Sequence, residues 1–205
     1  ISNIRGGKAH SSIAGGPAEA RGIYTHAESA STYRGILIFD VQGGLKPGNA
    51  LPSSGYGLMA SHPSSMTLEN FTFADINPGY GLWTGGKNIS ISNSIFSNVE
   101  VGVNAKSGVY AFVDYCLFHN IGNVPLSKYS EAGEGLILGE DPLFVGQDFH
   151  LAPESPAIDA GDPESDFCFE PQPSGGIINM GAYGNSPDAT SAPDAIEEFC
   201  EPDSD

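Results

Sequence analysis

Short apolar segments recur along the middle of the chain, separated by turn-forming residues. Three of them align without gaps, over residues 67–76 (TLENFTFADI), 90–99 (SISNSIFSNV) and 112–121 (FVDYCLFHNI). Glycine and proline interrupt the chain often, and no segment keeps the 3.6-residue apolar period of an amphipathic helix. The pattern predicts an all-β fold built from short strands.

The aligned segments belong to a sequence repeat. Phe73, Phe96 and Phe118 occupy the same place in it and are 23 and then 22 residues apart. A glycine followed by an aliphatic residue precedes each segment, at 57–58, 81–82 and 102–103. A short period of this kind, with two or three strands in each repeat, predicts a solenoid in which every repeat forms one turn of a coil.

We therefore expect a right-handed parallel β-helix of about four to five turns. Equivalent residues of such a coil stack about 4.8 Å apart, so the three phenylalanines are expected to form an interior ladder. Asn70 and Asn93 are expected to form a second ladder at a turn. The third copy has Tyr115 at that place, where the asparagine series ends.

The repeat stops after residue 121, and this predicts the organisation of the chain. We expect the coil over 1–138, a segment that covers its open end over 139–186, and an acidic tail over 187–205. Residues 1–4 (ISNI) resemble the middle of a strand, so we expect the rest of a larger chain or a second copy to continue the coil there.

Charge divides the chain into two parts. The net charge of the 205 residues is −17, all eight lysines and arginines lie at or before Lys128, and 18 of the 25 acidic residues fall in 131–205. Such a chain repels nucleic acid and anionic membranes, and it attracts Ca²⁺ or a cationic partner. A solvating acidic surface is the alternative interpretation. No apolar stretch approaches the roughly 18 residues of a membrane span.

Cysteines and aspartates offer a few candidate sites in the second half of the chain. Cys116 lies within a strand pattern and is expected to be a buried apolar residue, whereas Cys168 and Cys200 are candidates for a disulfide. Asp159 and Asp162 flank an Ala-Gly pair, where carboxylates cap turns. A Ca²⁺ site at these two residues is the alternative.

Three motifs follow the coil in order: DPLF at 141–144, SPAIDAGD at 155–162 and GAYG at 181–184. They resemble the C-terminal segments of bacterial secreted β-helix proteins of the "choice-of-anchor" type, a group that includes polysaccharide-lyase-like proteins. The resemblance implies an extracellular or cell-surface protein. It implies no reaction, because this fold and its terminal segment are shared by proteins of different function.

Candidate chemistry is sparse. A polysaccharide lyase needs a base and a group that neutralises a uronate carboxylate, and His62, Lys87 and Lys106 follow the glycines of their repeats at similar distances. Three exposed turn residues with no common role are the favoured alternative. A hydrolase needs paired carboxylates, and Asp40, Asp75 and Asp114 lie at comparable strand ends. Tyr80 and Trp83 are candidates for stacking on a sugar ring, with simple packing as the alternative.

The sequence therefore favours a non-catalytic extracellular module, structural or carbohydrate-associated. A filament or other assembly formed by end-to-end contacts of the coil is a sharper form of the same hypothesis. A polysaccharide lyase or hydrolase is the alternative function. Polysaccharide and copies of the chain are the expected partners, and Ca²⁺ is the one candidate cofactor.

Overall fold

The computed structural model describes residues 19–25, 30–44, 54–63 and 65–191, together with the backbone of residues 2–5. The secondary structure of this part of the chain consists of strands, and the strands of the coil pair in parallel. They form a solenoid of about four turns, which confirms the predicted parallel β-helix. Within the described residues, no helix has the length and apolar character needed to cross a membrane.

The strands are named in chain order. They are β1 (Ser2–Arg5), β2 (Ala20–Thr25), β3 (Ser31–Phe39), β4 (Gly55–Ala60), β5 (Met66–Thr84), β6 (Ile89–Ser92), β7 (Ser94–Ala105), β8 (Ala111–Val113), β9 (Cys116–His119), β10 (Val124–Leu126), β11 (Ser130–Ala132), β12 (Ile137–Leu138), β13 (Phe144–Val145) and β14 (His150–Leu151). The last two pair with each other, antiparallel, outside the coil.

Each turn of the coil has three faces, and the long strands β3, β5 and β7 bend from one face to the next. Face A contains 31–34, 66–69, 89–92, 111–113 and 130–132. Face B contains 36–39, 71–74, 94–97, 116–119 and 137–138. Face C contains 20–25, 55–60, 79–84, 101–105 and 124–126.

A column of aromatic rings fills the interior beside face B. Phe73, Phe96 and Phe118 are buried, and their ring centroids are 4.8 Å apart at both steps. The rings lie nearly parallel, so each covers the face of the next. Ile38 precedes the column and Leu138 follows it in register.

Glycines on face C leave room for these rings. A Cβ atom added at Gly81 would lie 2.6 Å from the ring of Phe96, and one added at Gly102 would lie 2.6 Å from the ring of Phe118. Real Cβ atoms do not approach other atoms so closely, so the backbone of face C is in full contact with the rings. The repeated glycine of face C thus packs directly against the repeated phenylalanine of face B.

Left-handed backbone makes the two sharp corners of the coil. At the first corner, where face A meets face B, the residues with positive φ are Gly35, Asn70, Asn93, Tyr115 and Gly135. At the second corner, where face B ends, they are Asp40, Asp75, Asn98, Asn120 and Gly139. Asparagine, aspartate and glycine are the residues that adopt this conformation at least cost, and this explains their recurrence at corners.

The C-terminal segment, residues 139–191, packs along the outside of face B. Ile95 and Leu117 point away from the phenylalanine column, and both pack in one buried cluster with Leu151, Ala157 and Met180 of the segment. The sequence predicted a cover for the open end of the coil instead. Leu138, at the end of the interior column, is 61% exposed, whereas the outer apolar row of face B requires a cover along its length.

Replacing Phe96 by alanine tests the interior column. The side chain is fully buried between two other rings, so F96A is expected to lower the free energy of unfolding by about 3–5 kcal/mol. Phe112 is the matched control, because it lies on the outer side of face A and is 45% exposed. F112A is expected to change stability by about 0.5 kcal/mol or less in urea melts. Equal losses from the two substitutions would contradict the assigned packing.

Candidate functional site

Face C presents aromatic side chains to solvent because of the packing behind it. Gly81 and Leu82 both face the interior, since a Cβ on Gly81 would meet Phe96 and Leu82 is completely buried. The residues on either side, Tyr80 and Trp83, are half-buried and lie on the outer surface. The two candidate sugar-contacting residues therefore share one surface.

Neighbouring turns extend this surface. Tyr56 pairs with Tyr80 in register, and their rings stack with centroids 5.3 Å apart. Tyr24 is 49% exposed and lies in the same row as Trp83, with Met59 between them. We call Tyr24, Tyr56, Tyr80 and Trp83 the aromatic strip. Its rings form an apolar surface edged with hydroxyl groups, a combination that suits amphipathic ligands.

Basic side chains border the aromatic strip on two sides. The guanidinium of Arg21 lies 5.0 Å from the centre of the Tyr24 ring and pairs with Glu19. On the other side are the exposed residues His62, Lys87 and Lys106, which occupy the turns from face C to face A in three successive copies of the repeat.

The three basic residues do not stack in one column. The backbone N–H of Lys87 donates to the carbonyl of Pro63, and that of Lys106 donates to the carbonyl of Thr84. These bonds place the two lysines at different points of their turns. The arrangement spreads positive charge along an edge rather than converging on one point.

The first corner holds the C-terminal segment through its asparagines. The Asn70 amide donates to the carbonyls of Asn179 and Gly181, at 2.9 and 3.2 Å. In the next turn, the Asn93 side-chain oxygen accepts from the backbone N–H of Asp162 at 2.7 Å. Both asparagines are buried, so their side chains join the coil to the segment in addition to forming the corner.

The second corner carries a polar ladder that we did not predict. The Asn98 amide donates to the Asp75 carboxylate at 2.7 Å, and the Asn120 amide donates to the side-chain oxygen of Asn98 at 3.3 Å. Asp75, Asn98 and Asn120 each follow a phenylalanine of the interior column by two positions. This constant spacing in the sequence indicates the ladder. The expected equivalence of Asp40, Asp75 and Asp114 is wrong, because Asp114 immediately precedes Tyr115 of the first corner.

Asp159 and Asp162 take part in turns of the C-terminal segment. The Asp159 carboxylate accepts from the backbone N–H of Gly175 at 3.2 Å, and the Asp162 carboxylate accepts from that of Glu164 at 3.0 Å. Burial raises the pKa of Asp159, and the Gly175 hydrogen bond opposes this effect. Within the described residues no group of three or more histidine, cysteine, aspartate or glutamate side chains is placed to hold a metal. Calcium binding at these two residues stays a prediction.

The cysteines differ in state. Cys116 is free and buried in the interior, where burial raises the pKa of its thiol. Cys168 is disulfide-bonded. Its predicted partner, Cys200, lies outside the described residues, so this pairing stays a prediction.

A cleft of about 590 Å³ lies between the first corner and the C-terminal segment. Arg34 and Glu69 form an ion pair on the coil side, while Asp166, Asn185 and Ser186 line the opposite side. The volume is within the range of roughly 300–1,000 Å³ that is usual for small-molecule sites. No sequence signal pointed to this cleft, because its two walls come from parts of the chain that share no repeat.

Glu170 supports the wall of this cleft from within. Its side chain is 5% exposed, and one carboxylate oxygen accepts the backbone N–H groups of Asn179 and Asn185, both at 2.8 Å. Burial raises the pKa of Glu170 to about 7, although these two hydrogen bonds favour the charged form.

Comparison with known proteins agrees with the fold. The family model described as "Right handed beta helix region" matches residues 21–137. The chain therefore belongs to the right-handed β-helix family, which includes carbohydrate-active proteins. No curated protein and no solved structure gave a significant match.

The buried carboxyl group predicts a pH dependence of stability. A folded-state pKa of about 7 for Glu170 exceeds the unfolded value of about 4.3. The folded protein then binds the extra proton between these values, so this group's contribution to stability falls as pH rises from about 4.3 to 7.

The E170Q variant isolates this contribution, because the amide oxygen can accept the same two N–H groups. Relative to wild type, E170Q is expected to gain up to about 3 kcal/mol of stability between pH 4.5 and 7.5. Urea melts of the two proteins across this range measure the difference. Parallel stability curves would show that Glu170 does not titrate there.

Proposed function

We propose that this protein is a non-catalytic extracellular or cell-surface module that binds an acidic polysaccharide through the aromatic strip and its basic border. The observation that carries the proposal is the location of the strip: aromatic side chains lie in register on the outer surface of face C, with Arg21, His62, Lys87 and Lys106 around them. Basic side chains gathered there contrast with a net charge of −17 for the whole chain.

Both parts of this surface have a role in recognising such a ligand. Apolar faces of sugar rings pack on aromatic side chains, while hydroxyl groups of the ligand reach the polar tips of the tyrosines. Carboxylates of an acidic polysaccharide pair with the lysines and arginine at the border. Since the border is exposed, salt is expected to weaken this electrostatic component.

The distribution of the basic residues supports binding rather than catalysis. Elimination at a uronate requires a base and a neutralising group that converge on one sugar unit. His62, Lys87 and Lys106 are instead distributed along the coil, one in each of three successive copies. Basic side chains distributed in this way suit the regularly spaced carboxylates of a polymer.

The resemblance of the C-terminal motifs to "choice-of-anchor" proteins supports an extracellular or cell-surface location and a bacterial source.

Two further properties, self-association and calcium binding, are part of the proposal. Exposure of Leu138 at the end of the interior column favours end-to-end contact with a second copy. Eighteen acidic residues in 131–205 favour Ca²⁺ binding there.

Substitution of the strip tests the binding proposal. The double variant Y80A/W83A is expected to weaken binding of polygalacturonate or alginate about tenfold or more in isothermal titration calorimetry, because stacking contributes roughly 0.5–1.5 kcal/mol per ring beyond buried area. The control is Y110A/F112A, which removes two exposed aromatic side chains before and within β8 of face A. Unchanged affinity in Y80A/W83A, or an equal loss in the control, would argue against the strip.

A polysaccharide lyase is the second candidate function, since the basic edge adjoins the strip. Incubation with pectate, alginate and glycosaminoglycans, followed by the absorbance of unsaturated products, decides between the two. We expect no absorbance change in any of them. A rising signal that K87A and K106A reduce would instead establish the lyase.

A further inference from the structure

The cleft at the first corner is separate from the aromatic strip. The first corner joins faces A and B, whereas the strip lies on the outer side of face C. One wall of the cleft comes from the first turns of the coil, and the other wall comes from the C-terminal segment. Whatever binds in the cleft therefore contacts a different part of the molecule from the proposed polysaccharide surface.

Hydrogen bonds behind the cleft hold its second wall in place. Asn185 has three such bonds: its N–H donates to Glu170, its side-chain oxygen accepts from the N–H of Phe169, and its amide donates to Asp166. The other oxygen of the Asp166 carboxylate accepts from the N–H of Cys168. A wall fixed in this way loses little conformational entropy when a ligand binds.

The coil-side wall has hydrogen-bonding capacity facing solvent. Arg34 uses its Nε and one Nη2 donor to bind the Glu69 carboxylate, and its side chain is 68% exposed. A guanidinium has five N–H donors in one plane. The remaining donors, with the carboxylate beside them, are suited to a ligand that offers adjacent acceptor and donor groups.

The charges of the cleft select against ions. Among the described residues that line it, one is a cation, Arg34, and two are carboxylates, Glu69 and Asp166. The cation is already paired with Glu69, so a bound anion would meet a site with net negative charge. A metal cation would compete with the donors already bound to both carboxylates, Arg34 on Glu69 and two N–H groups on Asp166.

We propose that this cleft binds a neutral sugar unit of an oligosaccharide. Hydroxyl groups both donate and accept, and they match a wall made of a guanidinium, carboxylates, amides and serine hydroxyls. The cleft is thus a second carbohydrate site, selective for uncharged sugars, on the side of the coil away from the strip. It does not depend on the strip binding an acidic polymer.

A titration by NMR tests this site. The probes are the methyl glycosides of glucose, galactose, mannose and N-acetylglucosamine, followed by di- and trisaccharides of any sugar that binds. We expect at least one neutral glycoside to shift the side-chain amide signals of Asn185 and Asn93, which both line the cleft. R34Q is expected to weaken that binding about tenfold, the effect of removing charge-assisted hydrogen bonds, while the melting temperature stays unchanged.

R21Q is the matched control. Arg21 is also an exposed arginine paired with a nearby glutamate, Glu19, but it borders the strip. R21Q is expected to leave glycoside binding unchanged and to weaken binding of polygalacturonate. R34Q is expected to weaken glycoside binding and to leave binding of polygalacturonate unchanged. This crossed design separates failure of the cleft from failure of the strip.

Several results would overturn the inference. They are the absence of a response to every neutral glycoside, shifts confined to residues of the strip, wild-type affinity in R34Q, and a response at the cleft to galacturonate or CaCl₂ but to no neutral sugar.

Discussion

The whole coil depends on a size match across its interior, between the phenylalanines of face B and the glycines of face C. The ring of Phe96 occupies the space that a Cβ of Gly81 would need, and Phe118 does the same opposite Gly102. Because both residues recur with the same period, the turns that contain them share one cross-section and the rings stack at 4.8 Å. In the turn before them, Ile38 takes the place of the ring. A larger residue at the glycines would push face C outward.

That interior match also decides what the outer surface of face C displays. With Gly81 and Leu82 both turned inward, the side chains before and after them are left outside. Tyr80 and Trp83 consequently appear on one surface, although simple alternation would place them on opposite sides. The proposed polysaccharide surface is thus a consequence of the core.

The repeat made the coil predictable, because its spacing is local information that the chain carries several times. The position of the C-terminal segment was not predictable in this way, since the bond from Asn70 to Asn179 joins residues 109 apart and has no equivalent elsewhere. One signal was nevertheless present. Ile95 and Leu117 adjoin the interior phenylalanines, and consecutive apolar residues indicate a strand that is buried on both sides.

The two proposed sites differ in how they arise. A solenoid repeats its surface from turn to turn, and the row formed by Tyr56 and Tyr80 reflects that repetition. The cleft instead exists at the place where the non-repeating segment crosses the first corner, and buried Asn93 and Glu170 hold it there. A regular surface suits a polymer with regular units, whereas a single cleft suits one sugar. The repeating coil and the segment docked on it thus supply two different kinds of recognition within one fold.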